Sequence, residues 1–192
     1  MSEDRTKLSS LTRSIATGAI GFALVSLCVF ATVAFAERWM YQNLGVTGAY
    51  LAWTVLFIVL SGAVFGSLAV VRWRLPKFYL LWALAFFAYA AAWMLAYFSL
   101  RATTTGELIG ALAGSILMAV VLALGFGSFR SIVKLSAVLF VSNSLGYFLG
   151  SALNEAFGSQ AGMLLWGVAY GLFFGAGIGA ALQLVQQETA TS

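Results

Sequence analysis

The sequence predicts an all-α integral membrane protein, a bundle of six transmembrane helices with both termini in the cytoplasm. Three observations carry this reading. Of the 192 residues, 62% are hydrophobic and 8% charged, with a mean hydropathy of +0.98; a soluble domain carries about a quarter charged residues. The apolar residues gather into six runs, each of about 20 residues and so able to cross a ~30 Å hydrocarbon core at ~1.5 Å per residue. The lysines and arginines are divided unequally between alternate connections.

In chain order, residues 1–12 are a polar tail too short for a domain, bearing Arg5 and Lys7. The first run is Ile15–Ala36 and holds the lone Cys28, a small hydrophobe in such a setting. With Lys7 and Arg13 before it and Ala34-Phe35-Ala36 at its end, it resembles a secretory signal cleaved before Glu37. Its apolar stretch exceeds the ~7–15 residues of such a signal, so it is read as a retained span. The second run, Tyr50–Val71, leads to a connection with Arg72, Arg74, Pro76 and Lys77. Phe78–Leu100, Glu107–Phe129, Ile132–Leu153 and Met163–Val185 follow, and residues 186–192 form a second short tail. Charges occur in these runs only at their edges (Glu107, Lys134). Without water, each backbone must satisfy itself, which a helix does. The runs do not alternate polar with apolar, so a transmembrane β-barrel is excluded.

Basic residues favour the cytoplasmic side. Arg5, Lys7, Arg13, Arg72, Arg74, Lys77, Arg130 and Lys134 fall on one side, Arg38 and Arg101 on the other. That places both termini inside; the membrane expected is a bacterial inner membrane. The alternatives for one further pattern are a parallel internal repeat and coincidence among the few residue types that membrane helices use. Leu51, Trp53, Val55, Gly62, Ala63 and Gly66 recur as Leu164, Trp166, Val168, Gly175, Ala176 and Gly179 at a constant offset of 113. Arg13-Ser14-Ile15 likewise recurs as Arg130-Ser131-Ile132. Spans 1–2 would then correspond to spans 5–6.

Three helix faces are candidate sites. Glycines recur every fourth residue at Gly106, Gly110 and Gly114, at Gly146 and Gly150, and at Gly167, Gly171, Gly175 and Gly179. Such spacing lets helix backbones approach closely, and close packing is the expected role. The sharper alternative is a flat ligand lying against Gly171 and Gly175. In the third run Phe78, Trp82, Phe86, Tyr89, Trp93 and Tyr97 fall within about 100° of one another on a helix. This stripe is expected to face lipid or another subunit, with the alanines packing inward. Its alternative role is a wall for a hydrophobic ligand, with Tyr89 and Trp93 at mid-depth. Asn143, between Ser142 and Ser144, is the most polar point near mid-membrane. It should find a hydrogen-bonding partner inside the bundle, with Ser26 and Ser61 as the expected partners, or contact a ligand.

The chain has no histidine, and no buried Asp or Lys stands where an intramembrane base or proton carrier would be wanted. Glu107 and Glu155 are isolated carboxylates near the outer surface. Gly175-Ala-Gly177-Ile-Gly179 follows no strand, so it is not a dinucleotide fingerprint. The expectation is therefore a protein without catalytic site, metal or cofactor and without nucleic-acid binding. The basic loops would meet anionic lipid headgroups. Asn143, Tyr89, Trp93, Gly171 and Gly175 are the candidate ligand residues, for a small apolar or amphiphilic molecule bound or passed within the membrane. The alternative is an accessory or assembly subunit of a larger membrane complex, or a homo-oligomer, holding lipid or pigment.

Six helices in this length are similar in size to the substrate-binding subunits of energy-coupling-factor vitamin transporters. Those carry an A-x-x-x-A element on the first helix that docks the coupling subunit, and Ala19-Ile-Gly-Phe-Ala23 has that spacing. The resemblance covers five residues and assigns no family; it implies a protein that binds a compound alone and needs partners to move it.

Overall fold

The computed structural model describes the backbone of residues 2–69 and 75–191, and the side chains of residues 10–69 and 75–189. Arg72, Arg74 and Val71, and the side chains of Arg5 and Lys7, lie outside the described residues. The described chain is helical without strands: α1 (Ser2–Gly66), α2 (Leu75–Ser99), α3 (Thr104–Phe126), a 3-10 turn (Phe129–Ser131), α4 (Ile132–Phe157) and α5 (Ser159–Thr191). Among the described residues, five helices are long and apolar enough to cross a membrane.

Six apolar runs map onto five helices because the first two share α1. Between them, Glu37 to Leu44 contains no glycine or proline, so nothing stops the helix where a loop was expected. It breaks at Gly45, whose φ of 67° and ψ of 173° lie in a region essentially reserved for glycine. The chain then doubles back. The Phe22 ring lies 5.6 Å from those of Phe57 and Phe65, residues that an unbroken helix would hold more than ~50 Å apart. Likewise, the tails at 1–12 and 186–192 are largely continuations of α1 and α5.

The other ends follow local chemistry. Pro76 sits in the first turn of α2, where its missing N–H costs nothing. Thr103 caps α3 by accepting from the Gly106 N–H at 3.2 Å, and Gly127, at φ 72°, ends it in the left-handed conformation.

Packing follows chain order. The first arm of α1 lies on the second, the second on α2, α2 on α3, α3 on α4, and α4 on α5. Helix α5 closes the circuit against the first arm. At one end Ser14 Oγ donates to Gln183 Oε1 at 3.1 Å, Gln186 Nε2 to the Leu68 carbonyl at 3.2 Å, and Thr189 Oγ1 to the Phe126 carbonyl at 3.1 Å. Arg13, Lys77, Arg130 and Lys134 belong to the segments gathered there; Arg38 and Arg101 belong to the opposite end.

The core is aromatic. Phe22, Phe65, Phe78, Trp82 and Phe174 are fully buried or nearly so, beside Leu135, Leu139, Ile178 and Leu182. Outside, Leu80, Leu84, Phe87 and Leu95 of α2, and Val133, Val141, Leu145 and Leu149 of α4, are exposed. An apolar outer surface of this extent suits lipid rather than water.

Candidate functional site

The aromatic stripe faces inward, contrary to the expected outward orientation. Phe78, Trp82, Phe86 and Tyr89 are buried, while Leu80, Leu84, Phe87 and Leu95 face out. In lipid both faces of a helix are apolar, so hydrophobicity does not select the inner one; polar atoms and volume do. Trp82 Nε1 donates to Ser61 Oγ at 2.8 Å, and the Tyr89 hydroxyl donates to Asn143 Oδ1 at 2.7 Å. Both groups need interior partners.

Asn143 is accordingly a partner of Tyr89, not of Ser26 or Ser61. Ser61 is engaged by the Phe57 carbonyl and by Trp82. The Tyr89 hydroxyl also lies 3.4 Å from that of Tyr170, so three helices meet in one buried polar cluster. Asn143 Nδ2 and Ser26 Oγ have no hydrogen-bond partner among the described residues.

Above this cluster the bundle opens into a cavity of about 300 Å³. The first arm of α1 contributes Val29, Phe30, Val33, Glu37 and Tyr41, and the second arm Tyr50, Trp53, Thr54 and Phe57. Helix α2 contributes Phe86, Tyr89, Ala90, Trp93, Met94 and Tyr97; Tyr147 comes from α4, and Met163, Trp166 and Tyr170 from α5. Twelve of these nineteen residues are aromatic, including six of the seven tyrosines in the chain. The cavity lies toward the end of the bundle that carries Arg38 and Arg101. Toward the other end it is closed by Phe22, whose ring packs within 6.4 Å of those of Phe57, Phe65, Phe86, Tyr170 and Phe174.

The wall is polarised. Among the described residues, exposed Glu37 is the one charged residue of the lining, which contains no Lys or Arg. Tyr41 interacts with both the Glu37 carboxylate and the Tyr50 hydroxyl. The Tyr147 hydroxyl donates to Glu107 Oε1 at 2.8 Å, placing a second carboxylate one hydrogen bond behind the wall.

Of the five candidate residues, Tyr89 and Trp93 line the cavity and Asn143 holds Tyr89 from behind. Gly171 and Gly175 are elsewhere. A Cβ on Gly171 would lie 2.4 Å from Ala23 Cα, and one on Gly175 2.3 Å from the Gly18 carbonyl oxygen. These glycines face the first arm of α1. Ala23, half of the A-x-x-x-A element, is buried in that contact and so is covered by the chain itself. Other glycines seat the cavity rings. Gly110 lies against the Trp93 ring, Gly114 against that of Tyr89 and Gly150 against that of Trp166, while Gly146 meets the Tyr170 backbone.

Sequence reasoning missed Glu37, Tyr41, Tyr50, Trp53, Tyr147, Trp166 and Tyr170, which the two arms of α1, α4 and α5 bring together. A signal was present: the tyrosines concentrate in the halves of the runs nearest Arg38 and Arg101, more than an interfacial belt requires. Comparison with known protein families, with curated proteins and with solved structures finds no match for this chain.

Proposed function

We propose that this is a six-span membrane protein that captures a small amphiphilic molecule in its aromatic cavity, as the substrate-binding component of a transport process. One observation carries the reading: a cavity of about 300 Å³ with twelve aromatic residues and one carboxylate in its wall, a composition typical of small-molecule sites. The break at Gly45 and the return of the chain from Phe22 to Phe65 support two spans within α1. The gathering of Arg13, Lys77, Arg130 and Lys134 at one end supports cytoplasmic termini, so the cavity opens to the outer side of the proposed bacterial inner membrane. Trp53 and Trp166, like Phe57 and Tyr170, are equivalent under the 113-residue offset and share the same wall, which supports the repeat.

The Phe22 plug favours capture over open passage, and the mainly aromatic wall favours binding. Native mass spectrometry of the purified protein tests the reading. A stoichiometric small molecule, retained by the wild type and lost in Trp93→Ala, is the expected result. A bare chain that holds only unrelated polypeptides would replace capture by the role of an accessory subunit.

A further inference from the structure

The cavity wall identifies the charge of its occupant. We infer that the ligand is an organic cation, a quaternary or alkylated ammonium with an apolar body, bound between the aromatic rings with its charge toward Glu37. This rests on the reading of the cavity as a ligand site and adds the chemical class.

The faces of Phe, Tyr and Trp carry negative potential, which attracts an ammonium within about 6 Å of a ring centroid. Near the mouth, Tyr41 and Tyr50 make edge-to-face contacts with Trp53, at 5.9 and 5.5 Å, and Trp93 stacks on Tyr97 at 4.8 Å. These five aromatic residues share the cavity wall with Glu37. An anion would lose its hydration there and find no Lys or Arg in return. A neutral ligand would gain nothing from the carboxylate. A cation is served by both kinds of group. Tyr147 adds to this: its proton is committed to Glu107, so its oxygen is left to accept from the polarised C–H or N–H groups of an ammonium. A quaternary centre suits the wall better than a strongly hydrated primary amine, because the remaining lining offers few acceptors and much apolar surface.

The test compares benzyltrimethylammonium with its uncharged carbon isostere, neopentylbenzene, by equilibrium dialysis of the nanodisc-embedded protein. Empty nanodiscs correct for partition into lipid. Preference for the cation of about tenfold is expected. In Glu37→Gln, a change at an exposed position that should leave the fold intact, that preference should fall several-fold while the neutral compound binds as before. Added salt should weaken only the cation. Equal binding of both compounds would overturn the cation inference and leave the amphiphile reading standing. A cation preference untouched by Glu37→Gln would overturn the role of the carboxylate. Binding of neither compound would overturn the inference and the cavity reading together.

Discussion

Replacing Gly175 with alanine asks whether the glycine face of α5 is a packing surface or a place for a ligand. A Cβ there would sit 2.3 Å from the Gly18 carbonyl oxygen and 2.6 Å from Phe22 Cβ, where ordinary contact begins at 3.4 Å. The oxygen must recede by about 1 Å to leave the repulsive wall. It belongs to the main chain, so it recedes only if α1 and α5 part along their seam. Overpacking of this kind costs about 1–3 kcal/mol, while removing a mid-helix glycine returns about 0.5–1 kcal/mol. A net loss of about 1–2 kcal/mol is expected. Gly66→Ala is the control: its nearest atom is a methyl of Leu75 at 3.0 Å, which can turn aside, so stability should stay within about 0.5 kcal/mol. Reversible unfolding in mixed micelles, titrated with SDS, measures both. A Gly175→Ala protein as stable as the control would refute close packing as the reason for this glycine. Unchanged stability with weakened ligand binding would restore the glycine face as a ligand surface.

Gly150→Ala should act on the cavity instead. The new Cβ would meet Trp166 Cδ1 at 2.0 Å, and a side chain can swing; displaced into the cavity, the indole should lower ligand affinity at least about tenfold with a stability loss below about 2 kcal/mol. A double-mutant cycle of Tyr89→Phe and Asn143→Leu, read by SDS unfolding, should give a coupling of about 0.6–1.7 kcal/mol; zero coupling would deny the hydrogen bond between them. Gly45→Ala introduces no clash, since nothing lies within 4 Å of its Cβ. Its cost is conformational alone, about 1–3 kcal/mol, and an unchanged unfolding midpoint would show that the turn does not require glycine.

The helices from α2 onward were legible because lipid imposes a simple rule: an apolar run must be helical for its whole length. Their starts agree with the sequence reading within about four residues, as at Ile132 of α4, while α5 runs past the expected end at Val185 to Thr191. Residues 37–44 were less legible. They are polar enough to leave hydrocarbon, which says nothing against a helix, and only Gly45 marks the turn. The direction of the α2 stripe was not legible from hydrophobicity, since Leu84 and Phe86 are equally at home in lipid and in the core. The information lay in the polar atoms of Trp82 and Tyr89, which need Ser61 and Asn143. Those partners come from other helices, and pairing across 21 and 54 residues is set by topology rather than by local pattern.

Glycine spacing and aromatic stripe, two unrelated patterns along the chain, act together in space. On the seam between α1 and α5, Gly171, Gly175 and Gly179 meet backbone atoms of Ala23, Gly18 and Ser14, and the helices close on one another. Nearer the opposite end, Gly114 and Gly110 of α3 meet the rings of Tyr89 and Trp93, and Gly150 of α4 meets that of Trp166. There each glycine gives a large residue room against the neighbouring helix. Bulk accommodated between helices is bulk withheld from the middle of the bundle. The middle is therefore solid where Phe22, Phe174, Ile178 and Leu182 fill it, and open where the rings are seated aside. The same small-residue spacing thus does two jobs, decided by what the facing helix presents. Filling a seat should close the cavity with little loss of stability, and filling a backbone contact should loosen the bundle with little change in the cavity. That opposition makes Gly150 and Gly175 the pair of positions at which binding and stability separate.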